Sequence, residues 1–331
     1  MRIPHYLSYS SFSLFEKNTE EFYLKFLADN RPERLPQERP ASVGSAFDAY
    51  VKSSFHRALF GPGADPKYEF EALFEAQVEP HNRDWAREEG EYIFECYKIA
   101  GQYDTLLALL QKSIEPPRME FEVRTTIEGV PMLCKPDLRF VLPGPVKITH
   151  DFKVNGYCSK SATSPNKGYM ICTDGYKAAD GKQSKSHGTT HKQFQPIDFH
   201  GLTIDAGALE DCSTEWADQL SLYAWALGEK PGDPETVISV DQIVAKPVPE
   251  SRPLLRVASF RARVRKSYQE LLLKRLKTCW EVIQSGHIFR DLSREESDQR
   301  MKLLDGQGIA TSSGSEYDGF FNDVVRAKYR G

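Results

Sequence analysis

Three residues near the middle of the chain have the types and spacing to do chemistry together: Asp137, preceded by Pro136, and the pair Asp151 and Lys153 on either side of Phe152. On an extended strand, residues i and i+2 project to the same face, so Asp151 and Lys153 point the same way. The turn Pro143-Gly144-Pro145 separates the two segments and lays them side by side, which brings Asp137 to Asp151. Two carboxylates in one place repel, and each is driven toward protonation unless a cation sits between them. Hard oxygen donors suit Mg²⁺ or Mn²⁺. Such an ion polarises a phosphodiester and generates hydroxide from bound water. An adjacent lysine can position that water or neutralise the oxyanion. A solvated strand face would also carry Asp and Lys two apart; the Pro-Asp pair on the preceding strand narrows the choice.

The elements that must hold these groups can be read from periodicity. A serine-rich start followed by aromatics, Ser8 to Leu27, predicts a helical segment packed on a core. The proline-rich loop RPERLPQERP follows, then a helix through Gly44, Phe47, Asp48 and Val51, and a helical region from about 68 to 110. Alternation of Met119, Phe121 and Val123 with Glu120, Glu122 and Arg124 opens a meander of three short strands that ends at Val154. Residues 216–227 form an amphipathic helix on which Gln219 and Tyr223 lie one turn apart on one face. Two strands, 237–244 and 254–264, and a closing helix, 266–285, complete a mixed α/β pattern.

With these pieces in order, the sequence resembles the PD-(D/E)xK nuclease superfamily, in particular its RecB-like exonuclease branch. The shared features are the serine-and-aromatic first helix, a glycine motif at Gly44 to Asp48, Pro136-Asp137, Asp151-Phe152-Lys153, and Gln219 to Tyr223. Asp48 stands where that branch usually has histidine. The resemblance implies a restriction-endonuclease-like core over residues 1–290, a mixed central β-sheet flanked by α-helices, with a long insertion at about 155–210 and a polar tail at 291–331. It implies metal ligation by Asp137, Asp151 and the Phe152 carbonyl, catalysis by Lys153, and a bracing or DNA-contacting role for Gln219 and Tyr223. Asp48 is either a fourth metal ligand or a helix-surface acid, and Glu122 poses the same choice. The implied activity is Mg²⁺- or Mn²⁺-dependent DNA hydrolysis, as an exonuclease or end-processing enzyme. A separate recombination or single-strand-binding protein is the expected partner, and a bacteriophage setting the expected context. The alternative is a DNA-binding protein that keeps the fold without turnover.

Composition sets limits on this reading. The net charge of −4 means that DNA must be held by local basic surfaces rather than by the whole molecule. Arg261 and Arg263, with Arg265, share one strand face as a candidate phosphate stripe, although an edge strand guarded by charge looks the same. Lysines 160, 167, 177, 182, 185 and 192 and tyrosines 157, 169 and 176 stud the insertion, which reads equally as a flap on DNA or a solvated loop. Cys158, Cys172, His187 and His191 lack the close cysteine pair of a zinc site, and Cys212 and Cys279 are too few for an iron–sulfur cluster. No basic-then-apolar leader and no apolar run of membrane-spanning length occurs, so a cytoplasmic location is expected.

Overall fold

The computed structural model describes residues 2–155, 170–171, 196–246, 254–286, 295, 298–299 and 302. Helices α1 (Tyr9–Lys17), α2 (Thr19–Phe22), α3 (Arg39–Phe60), α4 (Phe70–Gln77), α5 (Arg83–Ile99) and α6 (Gln102–Gln111) come first. Strands β1 (Arg118–Met119), β2 (Val123–Ile127), β3 (Val130–Cys134), β4 (Leu138–Leu142) and β5 (Val146–Asn155) come next. After β6 (Met170–Ile171), β7 (Pro196–Phe199) and β8 (Leu202–Asp205) come α7 (Thr214–Ala226), β9 (Thr236–Lys246), β10 (Leu254–Ala262) and α8 (Lys266–Ser285).

The central sheet has the order β1-β4-β5-β9-β10-β6. Only β5 and β9 pair in parallel; the other neighbours are antiparallel. These two strands are buried almost throughout because helices cover both faces, which removes the polar alternation of a half-solvated strand. Ile148, Val237 and Ile243 pack on one side with α3, α5 and α6. Ile238 and Val240 pack on the other with α7, α8 and the β2–β3 hairpin. The protein is therefore a mixed α/β fold with a central sheet flanked by helices, as the sequence predicts.

Helix α3 runs over the end of the central strands, and a glycine sets its place. Gly90 of α5 lies so close to α3 that a Cβ there would stand 2.5 Å from the Ala46 Cβ. At the far end of the chain, α8 stops at Gly286, whose φ of 63° is the left-handed cap that glycine adopts without strain.

Two expectations change. The helical region 68–110 is three helices, broken at Pro80 and at Gly101, whose φ is 78°. The expected three-strand meander is two hairpins. The β2–β3 pair forms its own small sheet, while β1, β4 and β5 join the large one. Pro136 explains the break, since it has no N–H to continue a ladder. From the insertion, β6 pairs with the edge of β10 and β7 with β8. Cys158, Cys172, His187, His191 and the lysines and tyrosines that stud the insertion lie outside the described residues. No helix among the described residues is long and apolar enough to cross a membrane.

Candidate metal centre

The register of the β4–β5 hairpin pairs Leu138 with His150, so Asp137, one residue before β4, lies level with Asp151. The Asp137 Oδ2 accepts a hydrogen bond from the Phe152 backbone N–H at 3.1 Å, which fixes the carboxylate against β5. Asp151 and Lys153 share the face that looks toward α7, and their charged groups meet at 2.6 Å. Lys153 also donates to Gln219 Oε1 at 2.8 Å, and Gln219 Nε2 donates to the Tyr223 hydroxyl at 3.0 Å. The Gln219–Tyr223 pair thus braces the lysine from α7.

The opposite face of the sheet supplies the rest. Phe47 on α3 packs edge-on against Phe152, with ring centroids 5.8 Å apart, and this holds Asp48 over the end of the strands. Asp48, Glu120 and Asp137 carry carboxylate oxygens that all lie within 4.8 Å of one another. Between them sits the ammonium of Lys52, one turn along α3. It is 2.5 Å from Asp48 and 3.0 Å from Asp137, and it also contacts Glu120. Asp48, Glu120, Asp137, Asp151, Phe152, Lys153 and Gly44 line one cleft of about 370 Å³.

Glu120 rather than Glu122 is the acid that joins the cluster. Glu122 is exposed and pairs with Arg124 and Lys135. The reason is local: Glu120 adopts φ 42°, a left-handed conformation uncommon for a residue with a side chain, and its N–H donates to the Asp137 carbonyl at 3.0 Å. That turn ends β1 and breaks the strand alternation on which a reading of Glu122 depends. Lys52 was missed in the sequence for a similar reason. Its signal is the i,i+4 spacing from Asp48, which on a helix reads as an ordinary surface pair.

Electrostatics favour a cation here. Four carboxylates face two ammonium groups, Lys52 and Lys153, so the cluster carries excess negative charge when all are ionised. Burial, with repulsion from Asp137 and Glu120, pushes Asp48 up to about 8. Burial and the Asp137 charge push Asp151 up to about 7, against the pull of Lys153. Burial alone would raise Asp137 too, but Lys52, the Phe152 N–H and Lys153 together hold it below the usual carboxylate range. Lys52 is raised well above an ordinary lysine, because its three carboxylates outweigh its burial. The Asp48 Oδ1 is buried with no hydrogen-bond partner among the described residues. Oxygen donors, excess charge and an unsatisfied buried oxygen fit a hard divalent ion.

No family model matches the chain, and no curated protein does. Among solved structures, a protein from Eubacterium rectale named "Putative exonuclease" aligns over 86% of this chain and 84% of its own, with 15% identity and a TM-score of 0.40. A second crystal structure aligns over 78% of this chain and 90% of its own, with 9% identity and a TM-score of 0.23.

Arg261 and Arg263 stand apart from the cleft. The Arg261 backbone N–H donates to Asp205, and the Arg263 guanidinium lies 3.9 Å from the centre of the Phe199 ring. Their neighbour Arg265 is engaged by Asp211 and Glu210. Neither Arg261 nor Arg263 lines the pocket that holds the acids.

Proposed function

We propose that this chain is a divalent-metal-dependent DNA nuclease of the PD-(D/E)xK kind, acting on DNA ends as an exonuclease or end-processing enzyme. The observation that carries the reading is the convergence of Asp137, Asp151 and Lys153 in one cleft with two further acids, Asp48 and Glu120. Asp137, Asp151, Asp48 and Glu120 are the residues that would hold the ion, with the Phe152 carbonyl as the backbone ligand that the resemblance implies. When bound, Mg²⁺ or Mn²⁺ would supply Lewis acidity toward the phosphodiester and lower the pKa of water.

The chain's own groups do the positioning. Lys153 is held between Asp151 and Gln219, so its ammonium is aimed rather than free to sweep the cleft. From there it orients the attacking water and offsets the negative charge that grows on the phosphoryl oxygens. The Tyr223–Gln219 link keeps that aim while substrate enters. Asp48, in the place of a usual histidine, adds an oxygen ligand in keeping with a hard ion.

One observation favours the rival, a DNA-binding protein without turnover: Lys52 already lies among the acids where a cation would sit. A single experiment separates the two. Purified protein is incubated with linear and closed-circular DNA in Mg²⁺, in Mn²⁺ or in EDTA. The nuclease reading expects metal-dependent loss of the linear substrate, abolished in Lys153→Ala, which still shifts DNA in a gel. Intact DNA in both metals, together with a retained gel shift, makes the rival correct.

A further inference from the structure

The acid cleft has a neighbour built from the same two elements. Asp48, Lys52, His56 and Phe60 recur every four residues on α3 and so form one stripe along the helix. The first two enter the acid cluster; the last two line a second cavity of about 440 Å³. On the other wall, Glu120 reaches the acids while its flanking residues Met119 and Phe121 line that second cavity. The Lys52–Glu120 ion pair joins the two elements, α3 and the segment after β1, that contribute to both spaces.

The second cavity is aromatic and basic. His56 stacks on Tyr68 with centroids 4.3 Å apart and planes at 18°, and Phe60 lies 4.9 Å from His56. The Tyr68 hydroxyl donates to the Met119 carbonyl at 2.7 Å, pinning this platform to the segment that carries Glu120. Phe60 remains 43% exposed. Two cations rest on ring faces: Lys67 lies 4.6 Å from the Tyr68 centroid and Arg118 lies 3.9 Å from that of Phe121. Both are exposed, and among the described residues neither forms a salt bridge. A patch that only finished the core would have no use for an open cavity rimmed by two exposed cations that, among the described residues, form no salt bridge.

We infer that this cavity seats one unpaired nucleobase of a single-stranded DNA end, a few nucleotides from the phosphodiester at the acid cluster. The inference rests on the nuclease reading and adds where the strand lies. The base takes the ring faces that Lys67 and Arg118 now cover, and the two cations move to the flanking phosphates. Exchange is favourable because base–aromatic stacking is stronger than a surface cation–π contact, and each released cation gains a phosphate. The spacing is suitable: from Asp48 to His56 the helix rises about 12 Å. An unpaired strand is required because a base within a duplex cannot present its face to a side-chain platform.

The test uses the full chain and short single-stranded oligonucleotides, with one abasic site moved along the strand. Binding is measured by fluorescence anisotropy in Ca²⁺, and cleavage of the unmodified strand in Mg²⁺. The expected result is a loss of about tenfold in affinity at one position and little elsewhere, as one stacked base is worth. In Phe60→Ala, and separately in Phe121→Leu, that position-specific loss disappears although unmodified DNA is still bound. Lys67→Gln and Arg118→Gln weaken binding and flatten its salt dependence. If wild type binds and cuts DNA but abasic sites act uniformly, or act identically in the ring variants, the base site is wrong and the nuclease reading stands. If wild type neither binds nor cuts DNA, both fall.

Discussion

Two ion clusters lie on either side of α7, and adjacent residues of that helix feed them. Asp218 turns toward Arg275, which also holds Glu16 through two hydrogen bonds of 2.8 and 2.5 Å; Tyr268 donates to Asp218 at 2.7 Å. Gln219 turns the other way, to Lys153 and the acids. In the first cluster one guanidinium serves two carboxylates from α1 and α7, and its planar fork matches their geometry. In the second, two compact ammonium groups, Lys52 and Lys153, face four carboxylates. The first ties three helices together. The second has the same two acids per cation but opens on a cleft. Access to a cleft, more than charge balance or the number of ion pairs, distinguishes a structural cluster from a candidate active site.

The comparison can be broken most sharply at the three cations. Lys153→Ala is expected to lower DNA cleavage on the order of 10³-fold with binding retained, checked by initial rates on linear DNA beside an anisotropy titration. Equal losses of binding and cleavage would make Lys153 a general DNA contact. Arg275→Met should leave Glu16 and Asp218 facing each other without their cation and cost about 3–5 kcal/mol in urea unfolding. Its folded fraction should cut at nearly the wild-type rate, and divalent metal should not restore its stability. Lys52→Met should lose about 2 kcal/mol in EDTA, less than Arg275→Met because its acids are partly solvated. Here Mg²⁺ or Mn²⁺ should return most of the loss, since the ion takes the place of the ammonium. An Mg²⁺-insensitive Lys52→Met would mean that the acids are structural like those around Arg275. The finest contrast is between neighbours: Glu120→Gln should weaken Mn²⁺ binding by calorimetry about tenfold, in the range seen when groups around a metal are altered. Glu122→Gln should stay within about twofold, as expected for an exposed surface acid.

Much of the site was legible because strand geometry is strict. Asp151 and Lys153 had to share a face, and the turn at Pro143 to Pro145 had to return the chain so that Asp137 met them. Gln219 and Tyr223 were legible as one helical face, and their target, Lys153, is evident once α7 lies on that side of the sheet. Glu120 and Lys52 were not. A single left-handed residue overrides the alternation of β1, and nothing in the local sequence marks it. Lys52 looks like any helix lysine until a distant strand brings Asp137 and Glu120 to it. The expected arginine stripe shows the converse: β10 ends at Ala262, so Arg263 and Arg265 lie beyond the strand, Arg265 at the N-cap of α8, and the stripe does not continue along one strand.

The sequence by itself determined the periodicities, the mixed α/β class, and the pairing of a carboxylate and an amine on one strand face, because these arise from backbone geometry over a few residues. Only the tertiary structure decided which acids gather, that a lysine stands among them, and that α3 carries one stripe from the acid cleft to an aromatic cavity. Those facts depend on contacts between segments tens of residues apart, fixed by how α3 packs on α5 and how β5 is held between its neighbours, and no local pattern encodes them.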